Sequence, residues 1–140
     1  MEIVVEVEPK GKGRPRFTRT GHAYTPARTR EYEDLIAARA LEAMQGRQPI
    51  PRDVPLRVTI VAVFGVPVSW PKKKRLAALQ GVLRHTRKPD YDNVGKAVCD
   101  ALNGIVFEDD CQIVSGEVEK VYGPEPMLKI FIEELKEEAR

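Results

Sequence analysis

Asp90, Asp92, Lys96, Asp109 and Asp110, within Lys88–Gln112, KPDYDNVGKAVCDALNGIVFEDDCQ, have the types and spacing of a site that cleaves phosphodiesters. Asp90 and Asp92 flank Tyr91 at the start of the stretch, and Asp109 and Asp110 adjoin near its end. Carboxylates brought close together repel, and each raises the pKa of the others. A divalent cation removes that conflict. Oxygen-only ligands suit Mg²⁺, which binds through one or two carboxylates together with water and substrate phosphate. Lys96, one helical turn after Asp92, directs a cation to the same place, where it can steady charge on the phosphorane or the leaving oxygen. Singly, each residue has a plain structural explanation: Asp92 as a helix cap, Lys96 as its i+4 ion-pair partner, Asp109-Asp110 as a turn. The combination is what points to chemistry.

A helix over 92–103 must position the first acids. Pro89 disfavours helical geometry at Lys88, so Asp90 falls at a loop-to-helix junction with Asp92 as the cap. Val94, Ala97, Val98, Ala101 and Ile105 share an apolar face. Asp92, Lys96 and Asp100 share a polar one. Asn103-Gly104 is a C-terminal stop signal, and Ile105-Val106-Phe107 then leads to the second acidic pair. Gly95 is an unexpected helix residue, less favourable than Ala by ~1 kcal/mol.

The segment KPDYDNVGKAVCDALNG with FEDDCQIV closely resembles the RusA-type Holliday junction resolvases, whose hallmark is Asp-x-Asp-Asn-x-x-Lys-Ala-x-x-Asp-Ala-Leu followed by Asp-Asp-x-Gln. The resemblance extends upstream through GRPRFTRTGHAYTP, TREYE and SWPKKKR. It implies that Asp90, Asp92 and Asp110 are catalytic and metal-binding, that Lys96 is the catalytic lysine, and that Asp100 and Asp109 support them. It also implies Mg²⁺ as cofactor (Mn²⁺ as a substitute), a homodimer, and branched DNA, above all the four-way junction, as substrate. Products would carry 5′-phosphate and 3′-hydroxyl ends.

The charge pattern agrees with a DNA-cutting enzyme. The net charge of +2 conceals a strong segregation. Residues 10–30 hold Lys10, Lys12, Arg14, Arg16, Arg19, Arg28 and Arg30 and no acid. Residues 72–88 hold Lys72, Lys73, Lys74, Arg75, Arg84, Arg87 and Lys88 and again no acid. From Ala97 onward eleven acids face four bases. Basic segments flanking an acidic centre draw in phosphates at the rim and hold metal between them. Lys12, Arg14, Arg16, Arg19, Lys72, Lys73, Lys74, Arg87 and Lys88 are the candidate DNA contacts. His22 and His85 have no partner at a ligand spacing and read as surface or phosphate-contacting residues. With 140 residues, 42% hydrophobic and 31% charged, the chain is one soluble α/β (α+β) domain spanning 1–140. No apolar run approaches membrane-spanning length, and MEIVVEVE lacks the basic start of a signal peptide. Cys99 and Cys111, not in a C-x-x-C pair, read as reduced and structural, and the location as cytoplasmic.

The remaining elements follow from periodicity. Glu2–Val7 alternates as a strand. Residues 9–26 read as a loop, an arm whose Arg14 and Arg16 contact the junction and whose Phe17 or Tyr24 stacks on exposed bases. A helix spans Ala27–Gln45, burying Leu35, Ala38, Leu41 and Ala43 or Met44. Pro55–Phe64 is a strand apolar on both sides in its second half, hence central with layers on both faces. Ser69 caps a basic helix Lys72–Gln80 that turns Leu76 and Leu79 inward, with Trp70 packed at its start. Strands at Gln112–Val121 and Met127–Glu133 are expected to form an antiparallel hairpin, and Glu134–Arg140 a frayed helical end. The order is β-α-β-α-α-β-β on a mixed sheet of about four strands. Rival readings are a metal nuclease acting on forks or flaps, and a junction-binding module without catalysis; the intact acid set opposes the second.

Overall fold

The computed structural model describes residues 1–13, 16–24 and 27–136. Its centre is the strand β4, Leu56–Gly65, whose buried Leu56, Val58, Ile60, Ala62 and Phe64 follow the expected alternation. A strand this apolar must be flanked on both edges. β5 (Ile113–Gly123) pairs with it in parallel on one edge, and β6 (Met127–Glu134) pairs antiparallel on the other. β1 (Glu2–Val5) completes the four-stranded mixed sheet beyond β6, giving the order β1-β6-β4-β5.

The expected hairpin of the last two strands is therefore not formed: β4 lies between them. The connection 124–126 has to pass over the end of β4, and small residues leave it room. A Cβ on Gly65 would lie 3.4 Å from Pro126, and one on Gly123 would lie 2.5 Å from a Val63 methyl. A hairpin would have left β4 without its second neighbour.

Among the described residues, helices cover one face of the sheet only. α1 (Ala27–Met44) buries Tyr32, Ile36, Ala40 and Met44; Met44 is buried and Leu35 and Ala43 pack against the core as expected, whereas Ala38 is exposed and Leu41 is 59% exposed. α3 (Tyr91–Leu102) buries Val94, Ala97, Val98, Ala101 and Leu102 beside it. Val4 and Phe131 on the opposite face are exposed, so the expected second layer is missing, as an antiparallel neighbour on the sheet permits. α2 (Lys72–Leu79) begins after Pro71 with no side-chain cap from Ser69, and it buries Ala78 while Leu76 and Leu79 stand outside. Residues 9–26 are more ordered than a loop. β2 (Arg16–Phe17) and β3 (Ala23–Tyr24) form a short antiparallel hairpin, turned at Gly21 with φ 84° and displaying Phe17 71% exposed. Glu134 closes β6, and the Leu135 N–H donates to the Pro55 carbonyl, so the expected helical tail does not begin there; 137–140 lie outside the described residues. No helix among the described residues is long and apolar enough to cross a membrane.

Candidate active site

Asp90, not Asp92, is the N-cap of α3. It has extended geometry (φ −67°, ψ 152°), and its carbonyl accepts the Val94 N–H at 3.0 Å. Its carboxylate makes no capping bond. Asp92 lies within the first turn and accepts only the N–H of Asn93, at 3.0 Å. Both side chains are exposed. An N-terminal turn with two uncommitted carboxylates is favoured by the helix dipole and open to an incoming cation. Asn103 ends the helix in extended geometry, and Gly104 (φ 81°) turns the chain toward the second acidic pair.

That pair is divided between two tasks. Asp109 caps the 3-10 turn Asp110–Gln112: its Oδ1 accepts the Cys111 N–H at 3.0 Å, and its other oxygen lies 3.5 Å from Arg52. The Cys111 N–H, the Asp110 carboxyl and Arg52 hold the Asp109 carboxyl below the usual range. Asp110 is exposed and caps nothing; partial desolvation, a hydrogen bond and charge from Asp109, and the charge of Asp100 push its carboxyl upward, and Lys96 opposes them. Neighbouring carboxylates crowd Asp110, and a cation would relieve them. The same neighbourhood reaches Cys99, whose thiol is pushed up to about 11 by burial and by Asp110 and Asp100. Cys99 is thus a protonated, half-buried thiol, whereas Cys111 is exposed and contributes nothing to the core.

Buried Gln112 fixes this turn. Its amide Nε2 donates to the Pro51 and Val54 carbonyls at 2.8 and 2.9 Å, and its Oε1 accepts the Asp109 N–H at 3.1 Å. Lys96 is 63% exposed and lies 3.9 Å from Asp100. Asp100 is held more closely by Lys12, 3.1 Å away, which also bonds Glu33 at 2.6 Å. The result leaves Lys96 loosely held and projecting from the acidic face.

A cleft of about 690 Å³ is lined by Lys10, Lys12, Lys88, Asp90 and Asn93 among others. A second, of about 570 Å³, is lined by Arg87, Lys88, Asp90, Asp92 and Lys120 among others. Lys88 and Asp90 border both. Gly11 brings the first basic loop against α3, where a Cβ would lie 3.1 Å from Asn93 and from Pro89. Among the expected DNA contacts, Lys12 is committed to Glu33 and Asp100, while Arg19, Lys72, Lys73, Arg87 and Lys88 are exposed. Lys74 lies 4.0 Å above the Trp70 ring, which meets Tyr122 edge-on, so Trp70 is a packed anchor. Arg14 lies outside the described residues, and Arg16 is placed only through its backbone in β2. Gly95 seats α3 on β5: a Cβ there would lie 3.2 Å from Val118.

The donor types suit a hard divalent ion. They comprise carboxylate oxygens and no histidine, with Asp90, Asp92 and Asp110 spared from capping or ion pairing. Among the described residues, no three acidic, histidine or cysteine side chains already converge on one point. Mg²⁺ asks for less than that, since one or two carboxylates suffice when water and phosphate complete its shell. Lys120, Glu33 and Arg52 are not singled out by sequence reasoning, and Gln112 enters there only as the last residue of the Asp-Asp-x-Gln motif, without a role. Lys120 did carry a signal, as one of four bases in an acid-rich half.

A profile of the family described as endodeoxyribonuclease RusA matches residues 6–133. The uncharacterized protein YqaN of Bacillus subtilis (strain 168) is 37% identical over 140 residues, covering 96% of each chain.

Proposed function

Because the chain belongs to the RusA family of endodeoxyribonucleases, which hydrolyse phosphodiester bonds of DNA, we propose that it is a Mg²⁺-dependent, homodimeric resolvase of four-way junctions in the cytoplasm. The observation that carries this reading is Asp90, a helix N-cap whose carboxylate caps nothing and borders both basic clefts. Asp90, Asp92 and Asp110 would hold the ion, Mg²⁺ or Mn²⁺ in its place. When bound, it supplies positive charge at the scissile phosphate and lowers the pKa of water.

The chain's own residues do the rest. Lys96, loosely held by Asp100, reaches the developing charge on the phosphorane or leaving oxygen. Lys12 restrains Asp100 from capturing Lys96 outright. Exposed Arg87 and Lys88 at the rim, Lys72 and Lys73 on α2 and Arg19 on the hairpin attract the backbone without reading sequence. Arg14 and Arg16 belong to the same arm, and exposed Phe17 offers a stacking surface for an unpaired base. Two copies would allow paired nicks on opposite strands, which keep the products ligatable. Cleavage of four-way, fork and flap substrates at equal concentration tests the substrate: faster paired cutting of the four-way junction is expected, and preferential cutting of forks or flaps would replace that substrate while keeping the chemistry.

A further inference from the structure

The chain around Asp90 is held by a lysine distant in sequence. Lys120 lies on β5, thirty residues beyond Asp90 and outside the acidic motif. Its ammonium donates to the Arg87 carbonyl at 2.6 Å and to the Pro89 carbonyl at 2.8 Å. These carbonyls bracket the segment that delivers Asp90. On the other side, Asp90 is fixed by the first backbone bond of α3, from the Val94 N–H. Since the Asp90 carboxylate makes no capping bond, its position depends on how firmly its backbone is held.

The lysine itself is constrained. Its ammonium lies 5.9 Å from the Phe64 ring, and Phe64 stacks on His85 with centroids 3.7 Å apart. This platform directs the side chain toward the 87–89 carbonyls. Lys120 also borders the cleft that contains Asp90 and Asp92. A charged donor shared by two carbonyls is a stronger tie than a neutral one.

We propose that Lys120 is a positioning residue: it clamps the Arg87–Pro89 segment so that the Asp90 carboxylate is held ready for the divalent ion. The inference rests on the nuclease reading above. Groups that orient metal ligands from outside the coordination shell typically affect metal affinity by about 10–100-fold, and Lys120 would act this way through the backbone.

The test compares the full-length native chain with Lys120→Met and Lys120→Arg. Mn²⁺ binding is measured calorimetrically without DNA, junction affinity is measured without metal, and cleavage is followed across a metal titration. Lys120→Met is expected to weaken Mn²⁺ binding and raise the metal needed for half-maximal cleavage, each by roughly 10–100-fold. Junction affinity should change by less than about 3-fold, since rim cations supply most of the phosphate attraction. Lys120→Arg, which keeps a charged donor, should recover much of the loss. Unchanged metal dependence in a folded Lys120→Met chain would overturn the proposal. So would weakened junction binding with metal dependence intact, which would make Lys120 an ordinary phosphate contact. Should Lys120→Met not fold, Lys120→Gln is read by the same measurements with the same outcomes. If the native chain cuts no DNA with any divalent ion, the nuclease reading fails, and Mn²⁺ binding alone still decides the clamp.

Discussion

Replacing Gln112 with leucine should unfasten the turn that carries Asp110. The glutamine is 4% exposed and spends its whole amide on protein partners. Leucine preserves apolar volume and removes all three bonds. The Pro51 carbonyl keeps one partner, the Val54 N–H at 3.0 Å. The Val54 carbonyl and the Asp109 N–H lose theirs. A buried polar group left unpaired costs about 1–3 kcal/mol, and Asp109 is partly open to water, so the expected loss is about 2–4 kcal/mol. In a domain of this size that corresponds to a fall in Tm of roughly 8–15 °C. Urea unfolding followed by circular dichroism should show a lower midpoint with an unchanged slope. Gln112→Glu, nearly the same shape, sets a carboxylate against two carbonyl oxygens and should cost at least as much. A loss below about 0.5 kcal/mol for Gln112→Leu would refute the reasoning, since it would mean that the turn is held by something other than this amide.

Three further outcomes follow from the same geometry. Gly95→Leu should destabilise by about 1–3 kcal/mol through overpacking against Val118, while Gly95→Ala should stay within ~1 kcal/mol of native because helix propensity offsets a small clash; chemical denaturation reads both. Asp110→Asn should raise the melting temperature of the metal-free protein at neutral pH, since burial, Asp109 and Asp100 disfavour the ionised carboxyl. The native protein should in turn gain about 1.4 kcal/mol at Mg²⁺ ten times its Kd, a gain lost in Asp110→Asn. His85 is held below its ordinary value by burial and by Lys120 and Arg87, so the folded state takes up a proton less readily than the unfolded one. Stability should therefore be level above about pH 7 and decline as pH falls below the ordinary histidine value, and His85→Phe should lessen that decline in melting curves across pH 5–8.

The acidic helix was legible because its chemistry and its periodicity coincide. The apolar face of Val94, Ala97, Val98 and Ala101 packs as spacing predicts, and the polar face of Asp92, Lys96 and Asp100 follows from it. The cap was displaced by two residues because Asp90 and Asp92 are equally good capping types, and only backbone geometry distinguishes them. Strand partners were less legible. Gly123-Pro124-Glu125-Pro126 reads as a hairpin turn, and nothing local says that the chain crosses the end of β4 there. The inward face of α1 is only partly legible: Met44 is buried and Leu35 and Ala43 pack against the core as expected, but alanines and leucines occur on several faces, and packing chose Tyr32, Ile36 and Ala40 over Ala38 and Leu41. The residues that hold the site, Gln112, Lys120 and Lys12, act through contacts distant in sequence, and spacing carries no record of those.

Asp90 occupies the N-cap of α3, but its carboxylate caps nothing and is assigned here to metal binding and catalysis. The most direct test is cleavage of a labelled synthetic four-way junction by the native chain and by Asp90→Asn, with and without Mg²⁺. The Asp90 carboxylate makes no capping bond and is exposed, so Asp90→Asn should fold and bind the junction. Symmetric paired nicks that require both Mg²⁺ and Asp90 are expected. Undiminished cutting by Asp90→Asn would contradict that assignment, and junction binding without cutting by the native chain would make the protein a binding module.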